Sequence, residues 1–197
     1  MLVASHDPVL DDGRFIADLT ARETDEAGLM RVAALPEELP AEIAIDFDVK
    51  TSLEDAVRPR ERTTAAAMAE LAERERDRRP VLVTSFDPAA LLIVRERAPR
   101  VPLGLLTWNR FPLRKAIAAA AHLGVEVVAP HVGSFPLEDS PTRRLERDLA
   151  ESMRVAHRAG LQVAAWCPPP EQADPLVAAG VDCLVVDDVP SRVAAAR

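Results

Sequence analysis

The sequence predicts an α/β fold, either a (β/α) barrel or an open doubly wound sheet, on three observations. From residue 41 onward, short apolar runs alternate with helical segments. Several runs are almost continuously apolar, as parallel strands covered on both faces are. Single glycines stand where helices should end just before the next run. No Gly-rich dinucleotide-type turn, linker or low-complexity segment interrupts the pattern, so residues 1–197 are expected to form one domain.

The expected strands are Met1–Ser5, Glu42–Lys50, Val81–Phe86, Val101–Trp108, Val125–His131, Leu161–Cys167 and Val181–Asp187. They number seven, one short of the eight of a closed barrel. The first begins at Met1 and stops at His6-Asp7-Pro8, which reads as a buried strand opening into a turn. Between the strands, Thr20-x-x-Glu23 is a capping box. Asp87-Pro88 and Ser140-Pro141 each set a capping side chain before a proline at the first helical position. Gly124, Gly160 and Gly180 are placed to end helices in the left-handed conformation. The charged stretch Arg58–Arg79 reads as a solvated helix.

Composition excludes several classes of function. A formal charge of −8 argues against a nucleic-acid surface and against an anionic membrane surface. No run approaches the length of a membrane span and no basic-then-apolar leader is present, so a cytoplasmic protein is expected. Cys167 and Cys183 are the only cysteines; both lie in apolar runs and are expected to be buried free thiols.

In a barrel, functional groups sit at the C-terminal ends of strands. The candidates there are His6-Asp7, Asp46/Asp48/Lys50, Ser85-Asp87, Trp108-Asn109, His131, Trp166 and Asp187-Asp188. The strand Ile45-Asp46-Phe47-Asp48-Val49-Lys50 stands out, because side chains alternate faces along a strand. Asp46, Asp48 and Lys50 share one face and the apolar residues the other. Three charged groups gathered at a barrel mouth should neutralise one another or hold a ligand or metal. His6 and His131 admit both structural and acid–base roles, and Trp166 could stack on a substrate or close the barrel. His122 and His157 are expected on helix surfaces. Lys50 also admits a Schiff-base lyase, which the neighbouring aspartates disfavour by holding the lysine charged.

The order of these motifs resembles that of the glycerophosphodiester phosphodiesterases. Ser5-His6-Asp7-Pro8 with Leu10–Thr20 resembles the family's His-Asp-Pro segment and following helix. Ile45–Lys50 is similar to its carboxylate-x-Lys strand, with Asp48 where Glu is usual and Asp46 where Asn is usual. Val83–Asp87 resembles its Ser-Phe strand end, and Val101–Leu106 the strand after that. Val163–Trp166 resembles its Trp-bearing strand, and Gly180–Asp187 its last strand.

The resemblance implies a TIM-type barrel that hydrolyses glycerophosphodiesters to glycerol phosphate and an alcohol in phospholipid metabolism, a metal-dependent phosphoric diester hydrolase. It makes His6 one of two acid–base histidines, Asp48 a ligand of a divalent metal (Mg or Ca), Lys50 a phosphate-side lysine and Trp166 an aromatic on the glycerol side. In the family scheme a glycerol hydroxyl attacks to give a cyclic phosphate that water then opens. The family also carries two earlier strands, ending His-Arg-Gly and Glu-x-Asp. The barrel is therefore expected to be N-terminally incomplete and its activity weak. Cys-Pro-Pro-Pro follows Trp166, where the family often has a Thr-x-Asn-like turn. The alternative expectation is a non-catalytic binding or oligomerising protein, a homo-oligomer formed through an open barrel edge.

Overall fold

The computed structural model describes residues 1–137 and 146–187. The chain packs as two compact units, Met1–Pro102 and Leu103–Arg197.

The first unit opens with two short helices, α1 (Ala21–Glu26) and α2 (Leu35–Glu38). The capping box at Thr20 and Glu23 forms as expected: the Glu23 N–H donates to the Thr20 hydroxyl, and the Thr20 N–H donates to the Glu23 carboxylate. Strand β1 (Ile45–Asp48) pairs in parallel with β2 (Val81–Ser85), and α3 (Thr64–Glu75) and α4 (Pro88–Arg97) follow the two strands. Asp87 caps α4 by accepting from the Ala89 N–H, with Pro88 at the first helical position. The core gathers Ala65, Ala66 and Ala72 of α3, Leu91 and Val94 of α4, and Val83 of β2. Alanines along the inner face of α3 leave room for the branched side chains of α4.

Two sequence expectations fail in this unit. Met1–Ser5 is not a buried strand. Val3 makes one antiparallel bridge, to Arg31, and the Ala4 N–H donates to the Met30 carbonyl. An apolar run becomes a sheet strand only when a neighbouring strand receives its hydrogen bonds, and here a nearby loop receives them. The structure thus contains six of the seven expected strands among its described residues. Nor is Arg58–Arg79 a solvated helix. Only Thr64–Glu75 is α-helical there, and it buries a full apolar face. The Arg79 side chain is wholly buried, with Nη1 donating to the Pro40 and Ile43 carbonyls and Nη2 to those of Pro36 and Leu39. A guanidinium presents five donors in a rigid fork, so one side chain gathers the segment that leads into β1.

In the second unit β3 (Leu103–Thr107), β4 (Val127–Pro130), β5 (Gln162–Trp166) and β6 (Cys183–Val185) are each parallel to the next. Helices α5 (Leu113–Leu123), α6 (Leu149–Arg158) and α7 (Pro170–Ala178) connect them. Gly124, Gly160 and Gly180 all take the left-handed conformation just beyond these helices, as the sequence predicts. Leu113, Ala116, Ala120, Val128, Val163, Met153 and Leu176 form the core. Neither cysteine is in a disulfide, and both are exposed rather than buried. Cys183 lies in a β6 whose flanking positions are open to solvent, and Cys167 has left β5 in a left-handed turn at φ 55°. The cap expected at Ser140-Pro141 and the residue Asp188 lie outside the described residues.

Among the described residues no helix is long and apolar enough to cross a membrane.

Candidate active site

The alternation on β1 is as the sequence predicts. Ile45, Phe47 and Val49 are buried, while Asp46, Asp48 and Lys50 are accessible on the opposite face. The Lys50 ammonium donates to the Asp48 carboxylate, at side-chain exposures of 44% and 39%. A lysine two residues along a strand from an aspartate lies on the same face, so its charge is paired and still reachable.

Asp46 is reached by solvent yet has dense protein around it over a wider radius, so it behaves as a recessed carboxyl. Burial pushes it from the usual 3.8 up to about 6, opposed by a hydrogen bond from Thr84 and aided by the charge of Asp48. The buried Thr84 hydroxyl donates to Asp46 Oδ1 at 3.0 Å. Ser85, a strand-end candidate, serves the scaffold instead. Its hydroxyl donates to the Val49 carbonyl at 2.7 Å and accepts from the Asp87 N–H at 3.1 Å, tying the end of β1 to that of β2.

Among the described residues His6 makes no hydrogen bond or ion pair with this group. Its side chain is 92% exposed, and its one partner among the described residues is the Asp7 carboxylate, 3.0 Å from Nδ1. With Nδ1–H donated to Asp7, Nε2 has no hydrogen-bond partner among the described residues.

Among the described residues no group of three or more His, Cys, Asp or Glu side chains could hold a metal ion. Asp46 and Asp48 together make a two-carboxylate face. Such a set suits a cation that keeps most of its waters, as Mg²⁺ does on one or two carboxylates, better than Ca²⁺, which takes roughly six to eight oxygens.

The second unit holds the other candidates. Trp166 is half-buried at the end of β5, and its indole Nε1–H donates to the Ala129 carbonyl at 3.1 Å. The Trp166 ring meets His131 edge to face, with ring centres 4.4 Å apart at 88°. His131 follows β4 directly, and its Nδ1 accepts the Gly133 N–H at 2.9 Å. Burial holds this imidazole below the usual histidine value of 6.5. Asn109 comes so close to Gly133 that a Cβ there would lie 2.2 Å from Asn109 Oδ1. Trp108 is largely exposed, and its carbonyl accepts from the Ser134 hydroxyl at 3.2 Å. His122 and His157 are on helices and exposed, as expected, with His157 Nε2 2.9 Å from the Asp182 carboxylate.

Sequence reading names Asp46, Asp48, Lys50, His131 and Trp166 but not the Thr84 bond or the His131–Trp166 contact. The small residue in His131-Val132-Gly133-Ser134 was the available signal for close packing around that histidine.

The family model of the glycerophosphoryl diester phosphodiesterases matches residues 1–191. The chain belongs to that family. Membership makes it a phosphoric diester hydrolase by descent, and the family model runs through both compact units. No curated protein sequence matches the chain. Among solved structures, a phosphodiesterase of Oleispira antarctica in complex with the product sn-glycerol 3-phosphate is 19% identical with a TM-score of 0.72, over 98% of this chain and 78% of that one. A glycerophosphodiester phosphodiesterase of Thermotoga maritima is similar at 19% identity and a TM-score of 0.69, over 98% and 78%. A third, described as a glycerophosphoryl diester phosphodiesterase from Silicibacter pomeroyi, matches at 19% and 0.67, over 94% and 75%. Likeness at this level establishes the fold, the TIM-type (β/α) barrel fold of these phosphodiesterases.

Proposed function

We propose that this chain hydrolyses a glycerophosphodiester to glycerol phosphate and an alcohol, using His6, Asp48, Lys50 and Trp166. The observation that carries the reading is the Asp48–Lys50 pair at the end of β1, in a chain that matches the family model over residues 1–191.

Lys50 binds a phosphoryl oxygen through its accessible ammonium and withdraws the charge that builds there. Asp48 orients that ammonium. Asp48 and Asp46 would also hold a divalent cation, Mg²⁺ in preference to Ca²⁺ on this donor set, which supplies Lewis-acid stabilisation of the phosphoryl oxygens when bound. His6, steadied by Asp7, moves a proton between Nε2 and a substrate oxygen. A glycerol hydroxyl forms the new bond to phosphorus while the bond to the alcohol oxygen breaks. Water then opens the cyclic phosphate. Trp166 has its N–H committed to Ala129, so its contribution to the glycerol side is the apolar ring.

The test is turnover by Lys50→Met and Asp48→Asn. Both should fold like the parent and lose about 100-fold or more in kcat/KM, the scale of losing a group aimed at developing charge. Turnover within threefold of the parent in either variant would remove that residue from the site.

A further inference from the structure

We propose that His131 is a substrate-binding residue, presenting Nε2–H to a hydroxyl of the glycerol portion beside the Trp166 ring. This rests on the reading of Trp166 as the glycerol-side aromatic.

The placement of the ring is fixed from three directions. The His131 N–H donates to the Thr107 carbonyl at 3.2 Å, which sets the residue at the ends of β3 and β4. A parallel bridge joins His131 to Trp166, bringing the end of β5 alongside. The Trp166 ring then packs edge to face against the imidazole at 4.4 Å. Rings locked in this way lose little freedom when a ligand arrives.

The tautomer is fixed as well. Nδ1 accepts the Gly133 N–H at 2.9 Å, and only an unprotonated nitrogen can accept. In the neutral ring the proton therefore sits on Nε2. Burial favours that neutral state. Among the described residues nothing else bonds Nε2, and it is not among the buried polar atoms left without a partner. It is an oriented, solvent-reached donor with no structural duty.

The chemistry around it selects the ligand class. A neutral imidazole brings no charge to a phosphoryl oxygen, whose usual partners are cationic. A neutral N–H against an aromatic ring suits an alcohol, which offers an acceptor oxygen on an apolar carbon chain. The amide of Asn109, brought close by the missing side chain of Gly133, adds another neutral polar group on the same loop cluster.

The experiment uses the full chain carrying Trp108→Phe, which leaves Trp166 as the single tryptophan. Its fluorescence is titrated with sn-glycerol 3-phosphate and, separately, with inorganic phosphate, in magnesium buffer. The same titrations are run with His131→Phe, which keeps a ring but no donor, and with His131→Gln, which carries an N–H donor. The proposal expects His131→Phe to bind sn-glycerol 3-phosphate about 3- to 10-fold more weakly, the scale of one hydrogen bond, with phosphate binding unchanged. His131→Gln should recover part of the loss. In turnover of a glycerophosphodiester, KM should rise by a similar factor and kcat stay within twofold. Unchanged affinity in His131→Phe, or an equal loss toward phosphate, would overturn the assignment. His131-dependent binding in a parent that turns over no glycerophosphodiester would uphold it and remove the enzymatic reading instead. No binding of sn-glycerol 3-phosphate by the parent would overturn both.

Discussion

The Thr84 hydroxyl donates to the Asp46 carboxylate at 3.0 Å across the β1–β2 pair. Among the described residues this is the one hydrogen bond to a carboxyl that burial and the charge of Asp48 push up to about 6. Asp46 therefore holds its proton more tightly in the folded chain than in the unfolded one. Between the unfolded value near 3.8 and about 6 the folded state binds more protons, so stability falls as pH rises through that window. Asp46→Asn keeps an oxygen for Thr84 and has no charge to desolvate. It should raise Tm by about 2–4 °C at pH 7.5, corresponding to ~1 kcal/mol after allowing for solvent screening, and by much less at pH 4. Thermal scans in chelator at both pH values check this. An equal gain at both would mean that ionisation is not the cause.

Arg79 supports the strand that carries the site. Its two terminal nitrogens serve four carbonyls of residues 36–43, and its side chain has no exposed surface. Arg79→Met should destabilise the fold by about 3 kcal/mol, because four buried or partly buried carbonyls lose their donor at once, while Glu75 keeps Arg78 as its partner at 3.3 Å. Arg79→Lys should recover only part of this, since one ammonium cannot reach all four carbonyls. Urea unfolding measures both. A change below about 0.5 kcal/mol in Arg79→Met, the size expected of an ordinary surface position, would contradict the clasp.

The His131–Trp166 contact gives an optical signal. A protonated imidazole against an indole quenches its emission, and burial holds His131 below 6.5. In the Trp108→Phe protein, Trp166 emission should drop as pH falls, with a midpoint below that value. The sign for stability follows. The unfolded chain takes up the His131 proton first, so the stability contributed by the neutral ring is full above 6.5 and is lost as pH falls beneath it. A midpoint at or above 6.5, or a drop that survives His131→Phe, would count against the contact.

Gly133 is where this cluster tolerates least. An added Cβ would lie 2.2 Å from Asn109 Oδ1 and 3.2 Å from His131 Nδ1. The end of the Asn109 side chain can swing away, so Gly133→Ala should lower stability by less than about 1 kcal/mol. It should nevertheless shift the emission of Trp166 in the Trp108→Phe background through the displaced imidazole. An unchanged spectrum would mean that His131 is not held through this loop.

What the sequence made legible was local. The two-residue period of Ile45–Lys50 sorted three charges from three apolar side chains, and the structure keeps that sorting. The glycines at 124, 160 and 180 marked helix ends because few other residues take positive φ at low strain. The misreadings concern partners far away in the chain. Met1–Ser5 has the composition of a strand, but pairing decides strands, and its partner is a loop around Arg31. Arg79 looked like one charge in a solvated run because nothing local reveals the carbonyls 36–43 residues earlier in sequence. The His131–Trp166 contact likewise joins the residue just after β4 to the last residue of β5, far apart in sequence.

The account stands most directly on the identity of the products. The purified chain, with magnesium, is incubated with glycerophosphodiesters bearing different alcohols and followed by phosphorus NMR. The account predicts that glycerol phosphate and the free alcohol appear together, and that Lys50→Met abolishes both. Intact substrate throughout, or phosphate released on the alcohol with free glycerol, would contradict it.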